Sequence, residues 1–269
     1  MELYGFEKSD PALFDLAIVQ KEADGGRTDS AQIDRIQERP EAESLIVSGL
    51  DQKAFEYLIR RFGRQFKTIS FWKNKLVCDL SPLSGLPELQ YVHFFFNQRA
   101  PDLWDMRDNV CLRGLTVCDF TKLHSIARVA SAPALEYFSI GDRVWPGMEI
   151  ESLRPLTRSS VSHFAWWGKR VLDRDYLCLA QSGIRELDLP AGGFRLEELA
   201  RLNAKMPGVR GTVTRPYSES TVIRQGEETT WYLLCKGRKR LLKGRDEEKL
   251  KAYLEEFDRL VKRYRSETG

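Results

Sequence analysis

The chain has 269 residues, 42 % hydrophobic and 30 % charged, with 42 Lys and Arg against 39 Asp and Glu. Those proportions exclude the disordered and collagen-like classes and leave enough chain for a sizeable core. The sequence has no apolar run of about 18 residues to span a membrane, no basic-then-apolar leader in Met1–Lys8, and only five scattered cysteines, so the expectation is a cytoplasmic protein in a reducing compartment.

Charge divides the chain. Met1–Ala42 carries five basic and ten acidic residues, whereas Thr214–Gly269 carries fourteen basic and ten acidic. The expected organisation is an N-terminal cap over 1–42, a repeat region over 43–213 and a small C-terminal module over 214–269. Within the cap, Pro11–Gln20 is apolar enough to pack and Gly25–Ser30 reads as a loop.

The middle of the chain repeats. Segments starting at Phe66, Leu89, Leu112, Leu135, Val161 and Ile184 follow one another at 23, 23, 23, 26 and 23 residues. Each carries apolar residues at its first, fourth and sixth positions, as in Leu112/Leu115/Val117 or Leu135/Phe138/Ile140. Further on, Leu80/Leu83, Leu103/Met106 and Ile126/Val129 stand three apart, as a helical turn packed back on a strand requires. One unit cannot bury its own apolar edge, but stacked units share a core. Weaker versions appear at Leu45–Val47 and Val209–Val213, and the three extra residues of the longer step fall around Trp145-Pro146-Gly147.

The best unit runs from Phe66 through Ile69, Phe71 and Asn74 to Asp79-Leu80-Ser81-Pro82-Leu83-Ser84-Gly85-Leu86. It resembles the leucine-rich repeat family, and its second half is similar to the bacterial, internalin-like subclass of repeat. Asn74 and Asn97 occupy the family's asparagine position, which Phe120, Arg143, Lys169 and Gly192 fill elsewhere. The resemblance implies an α/β leucine-rich repeat solenoid, with parallel strands on a concave face, short helices on a convex face, and a protein-binding role.

Beyond the repeats, Thr221–Arg224 and Trp231–Lys236 read as strands, and Gly237 turns the chain toward Arg240–Lys243. Asp246 is placed to cap a helix whose apolar face runs Leu250, Tyr253, Leu254, Phe257, Leu260, Val261 and Tyr264. A strand–hairpin–helix module is expected.

Strand alternation turns the third, fifth and seventh repeat positions to the concave side. Large aromatics and two of the three histidines stand there, where an open sheet would carry small polar or β-branched residues. Trp72, Tyr91, His93, Phe95, Tyr137, His163 and Trp167 are therefore the candidate partner-binding residues. His93 and His163 lie three strand spacings apart, about 14 Å, too far to share a zinc ion. Cys118 adds no third ligand, so neither a metal nor another cofactor is expected. Ser70 and Ser139 flank His93 without a nucleophile motif. Glu186 and Asp188, two residues apart on one face, suit paired-carboxylate chemistry or, more simply, an acidic rim. Catalytic residues are accordingly not assigned. The alternative to a protein-binding scaffold is a nucleic-acid-associated adaptor, using Lys236, Arg238, Lys239 and Arg240 on the C-terminal hairpin against phosphates.

Overall fold

The computed structural model describes residues 10–144, 147–224 and 227–267. The first half of the chain forms β1 (Leu16–Ile18), α1 (Ser30–Asp34), β2 (Ser44–Ser48), α2 (Gln52–Phe62), β3 (Thr68–Trp72), β4 (Tyr91–Asn97), β5 (Gly114–Phe120) and β6 (Tyr137–Gly141). Then come β7 (Glu149–Ile150), β8 (His163–Trp167), β9 (Arg170–Val171), β10 (Glu186–Asp188) and α3 (Leu196–Lys205). The chain closes with β11 (Tyr217–Arg224), β12 (Glu227–Leu234), β13 (Leu241–Leu242) and α4 (Glu247–Ser266). It is a mixed α/β protein with two compact units. No described helix is long and apolar enough to cross a membrane.

The first unit comprises Met1–Ser162 with Trp167–Gly183. Its strands β1 to β6 pair in chain order, all parallel. The register repeats the sequence spacing: Leu45, Ile69, Val92, Leu115 and Phe138 stand side by side, as do Val47, Phe71, Phe94, Val117 and Ile140. All of these are buried, because alternate side chains on a pleated strand share one face. Leu16–Ile18 pairs with Leu45–Val47, so part of the segment expected to act as a cap continues the ladder as one more strand.

The C-terminal ends of the strands share one backbone conformation. Gly49, Lys73, Phe96 and Asp119 all have left-handed backbones, with φ of 68°, 54°, 62° and 54°. Such a conformation is strained for a residue with a Cβ and persists where neighbours over-determine it. Here the stacking does so, since Lys73 N–H donates to Phe95 O at 2.7 Å. At Gly49 a Cβ would lie 2.6 Å from Gly25 O and 2.7 Å from Gly26 O, so only glycine fits.

The amides of Asn74 and Asn97 satisfy backbone groups at the turns. Asn74 accepts from Leu50 N and donates to Val47 O; Asn97 donates to Asn74 O and Val77 O and accepts from Arg99 N and Ala100 N. One repeat later Phe120 replaces the amide and packs edge-on against Phe94, while the neighbouring Asp119 carboxylate accepts from Arg143 N and Val144 N.

Two expectations need adjusting. Beyond α2, four returns of this unit carry short 3-10 turns, at Ser81–Gly85, Ala127–Ser131, Arg154–Arg158 and Tyr176–Gln181, and the return between β4 and β5, with Leu103 and Met106, forms no helix, because a repeat of 23 residues leaves little room for one. The longer step is accommodated by β7, which pairs in parallel with β9, while Asp142 accepts from Gly147 N and Met148 N. Trp145 and Pro146 lie outside the described residues.

The second unit comprises His163–Trp166 with Ile184–Gly269. β8 and β10 pair in parallel, and Glu186 extends the pattern through a bridge to Arg210. β11, β12 and β13 form an antiparallel sheet, turned at Gly237 (φ 86°) as expected. Helix α4 buries Leu250, Tyr253, Phe257 and Val261, and packs with α3. Asp246 stands at the N-cap position, yet its carboxylate serves the hairpin instead, accepting from Leu242 N and pairing with Arg245 and Lys249.

Candidate functional site

The strands place the seven candidate residues where the repeat phase puts them, but most are not at the surface. Tyr91, His93, Phe95, Tyr137 and His163 are each less than a tenth exposed, Trp72 is half-buried, and Trp167 is 44 % exposed. The expectation of an open aromatic face is therefore corrected. Alternation tells which face a residue joins, not whether that face is covered, and parallel sheets are commonly covered on both. The rings contribute to this themselves. Tyr91 and Tyr137 flank Gly114 in register and pack together, and Trp72 stacks on Phe95 with centroids 4.2 Å apart.

The fifth repeat positions form a buried polar row across β3 to β6: Ser70, His93, Thr116 and Ser139. Ser70 Oγ and His93 Nδ1 are 3.0 Å apart, a pairing the sequence left open. It resembles a nucleophile with its base, but both side chains are fully buried, so no substrate reaches Ser70 Oγ in this conformation. Burial, with a smaller contribution from the Arg143 charge, pushes the His93 pKa down to about 3. The imidazole is neutral at physiological pH, and the pair reads as core polarity.

The Cys178 thiol is equally quiet. Cys178 donates to Asp175 O, and burial together with the charges of Asp175 and Asp173 pushes it up to about 11. Cys78, in the return after β3, is exposed.

Of the seventh repeat positions only the two ends of the row are accessible: Trp72 is half-buried and Trp167 exposed, whereas Phe95, Cys118 and Gly141 between them are buried. Trp72, Phe95, Cys118 and Gly141 are register partners on β3 to β6. Trp167 continues the row: its backbone lies so close to Gly141 that a Cβ there would sit 2.4 Å from the Trp167 carbonyl carbon. Asp142 N–H donates to Trp167 O. Two indoles thus mark the ends of a row four strand spacings long, about 19 Å, and the Lys73 ammonium lies 5.4 Å from the Trp72 ring centroid.

In the second unit, the pairing of β8 with β10 sets His163 opposite Glu186, with Asp188 one pleat further on the same face. His163 Nε2 lies 2.9 Å from Asp188 Oδ2, and Nδ1 lies 4.0 Å from Glu186 Oε2. Burial opposes ionisation of Asp188, but hydrogen bonds from His163 and Thr212 prevail and hold its carboxyl below the usual range. Sequence reasoning treated Glu186 and Asp188 as a rim without this histidine. The signal was present: His163 and Glu186 are third positions of successive repeats, 23 residues apart.

The basic hairpin is largely engaged within its own unit. Arg238 pairs with Glu256 at 2.6 Å, Lys243 with Glu219 at 2.7 Å and Arg245 with Asp246 at 3.0 Å. Arg240 lies over the Trp231 ring at 4.2 Å. Lys236 and Lys239 are exposed.

No family model matches this chain, and no curated protein matches it. Among solved structures it is similar to an internalin from Listeria monocytogenes, at 16 % identity and a TM-score of 0.27. The match covers 59 % of this chain and 62 % of that protein, which is less than two thirds of its length.

Proposed function

We propose that the chain is a leucine-rich repeat scaffold without catalysis of its own, binding a protein partner in a reducing compartment through the aromatic rim at the ends of its strands. The observation that carries this reading is the row Trp72–Phe95–Cys118–Gly141–Trp167, with a half-buried indole at one end and an exposed indole at the other. An indole held by a packed strand loses little freedom on binding and offers a large apolar surface, the usual make-up of an interface anchor. Trp72 and Trp167 make the contact, and Phe95 supports Trp72 by stacking. Tyr91, His93, Tyr137 and His163 act through packing rather than contact. Five cysteines that form no disulfide suit a reducing compartment.

The test is a Trp72→Ala/Trp167→Ala variant measured against a partner isolated with the native chain. Each truncation should weaken binding by about 1–3 kcal/mol while the melting temperature stays close to native. Unchanged affinity overturns the reading. Salt-dependent retention on DNA that is lost with Lys236 and Lys239 would favour the nucleic-acid adaptor in its place.

A further inference from the structure

We propose that His163, Glu186 and Asp188 form a binding site for a divalent first-row transition-metal ion, with zinc as the reference ion. One donor atom from each residue can be chosen so that all three lie within 4.8 Å of one another. Two donors bound to one ion at about 2.0–2.2 Å, at angles between square and tetrahedral, are themselves about 3.0–3.5 Å apart. His163 Nε2 and Asp188 Oδ2, at 2.9 Å, already have nearly that spacing. Glu186 Oε2 lies 4.0 Å from the other ring nitrogen, Nδ1, so ligation beside Nε2 requires this partly exposed side chain to turn about its terminal torsions.

The surroundings favour an ion over a chance cluster. Thr212 N–H donates to Asp188 Oδ1 at 2.8 Å, which leaves Oδ2 turned toward His163; this is the outer hydrogen bond that orients a carboxylate ligand. Thr212 is itself held, since its hydroxyl accepts from Leu189 N and donates to Leu189 O. Two carboxylates face one imidazole, and the well-exposed Arg210 guanidinium lies 3.9 Å from Glu186. A dication would neutralise both carboxylates and leave the imidazole uncharged. One imidazole with two carboxylates suits zinc, manganese, iron(II), cobalt or nickel rather than a soft copper(I) ion. Three protein ligands leave a coordination position for water or for a donor from another molecule. This site is independent of the aromatic rim.

The experiment uses the full chain, free of any histidine tag and stripped with chelator. Equilibrium dialysis against zinc is read alongside the visible d–d absorption of cobalt(II). The expected result is one zinc bound per chain and a cobalt spectrum that zinc displaces. Binding should be at least tenfold weaker in Glu186→Gln and in His163→Gln. If His163→Gln fails to fold, Glu186→Gln decides alone, because its side chain is the most exposed of the three. Two results overturn the proposal: no zinc retained after dialysis, or equal retention by Glu186→Gln and the native chain. Either leaves His163 as an imidazole held between two carboxylates, a structural contact only.

Discussion

Protonating His93 should unfold the first unit from within. The imidazole is fully buried, with Ser70 Oγ 3.0 Å from Nδ1, and its pKa falls from 6.5 to about 3. Between those two values the unfolded chain binds a proton that the folded chain refuses, so stability falls as pH drops below about 6.5 and levels off near about 3. Each unit of difference is worth about 1.4 kcal/mol, which makes the whole loss about 5 kcal/mol and the part between pH 6.5 and 5 about 2 kcal/mol. Either is a large share of an ordinary domain's stability of about 5–15 kcal/mol. Denaturant melts of the native chain and of His93→Gln, taken from about pH 7 to 5, isolate the effect, since the surface carboxylates contribute alike to both. The native curve should fall more steeply by about 2 kcal/mol. Parallel curves would refute the assignment, as would an NMR titration showing His93 taking up a proton near pH 6.5.

Leu115 has no exposed surface and stands between Val92 and Phe138 in register, so Leu115→Ala should cost about 2–5 kcal/mol in a denaturant melt. Asn97→Ala removes the partners of four backbone groups and should cost about 2–4 kcal/mol, with local amide exchange quickened at Arg99 and Ala100. Alkylation at about pH 8 should modify exposed Cys78 quickly and leave Cys178, pushed up to about 11, untouched until the chain unfolds; peptide mass mapping reads both.

The inward half of the repeat was legible because strand alternation and constant spacing both leave traces in a linear sequence. All eighteen positions from Phe66 to Leu189 named by that rule are buried. The outward half was not, for a physical reason. Whether Tyr91 and Tyr137 meet over Gly114 depends on a residue two strands away, which no local pattern encodes. Asn109 shows the same limit. It is fully buried in a return segment, accepts from Trp104 Nε1 and donates to Leu83 O and Leu86 O, yet no motif frames it. Helix α3 was readable in principle: Leu196, Leu199, Ala200 and Asn203 follow a helical period, and Glu197 and Glu198 lie in the first turn. It falls where the repeat spacing leads one to look for another return segment. The triad of His163, Glu186 and Asp188 required combining two repeats, since neither strand alone carries a ligand set.

The partner-binding rim is tested most directly by placing a photoreactive phenylalanine analogue at position 72, 167 or 110, one at a time, in cells that make the native chain. Val110 is 57 % exposed and lies in a return segment, away from the strand ends, so it controls for chance collisions. The rim account predicts an adduct of the same mass from positions 72 and 167 and none from 110. An adduct from 110 alone, or none from either tryptophan position, would contradict it.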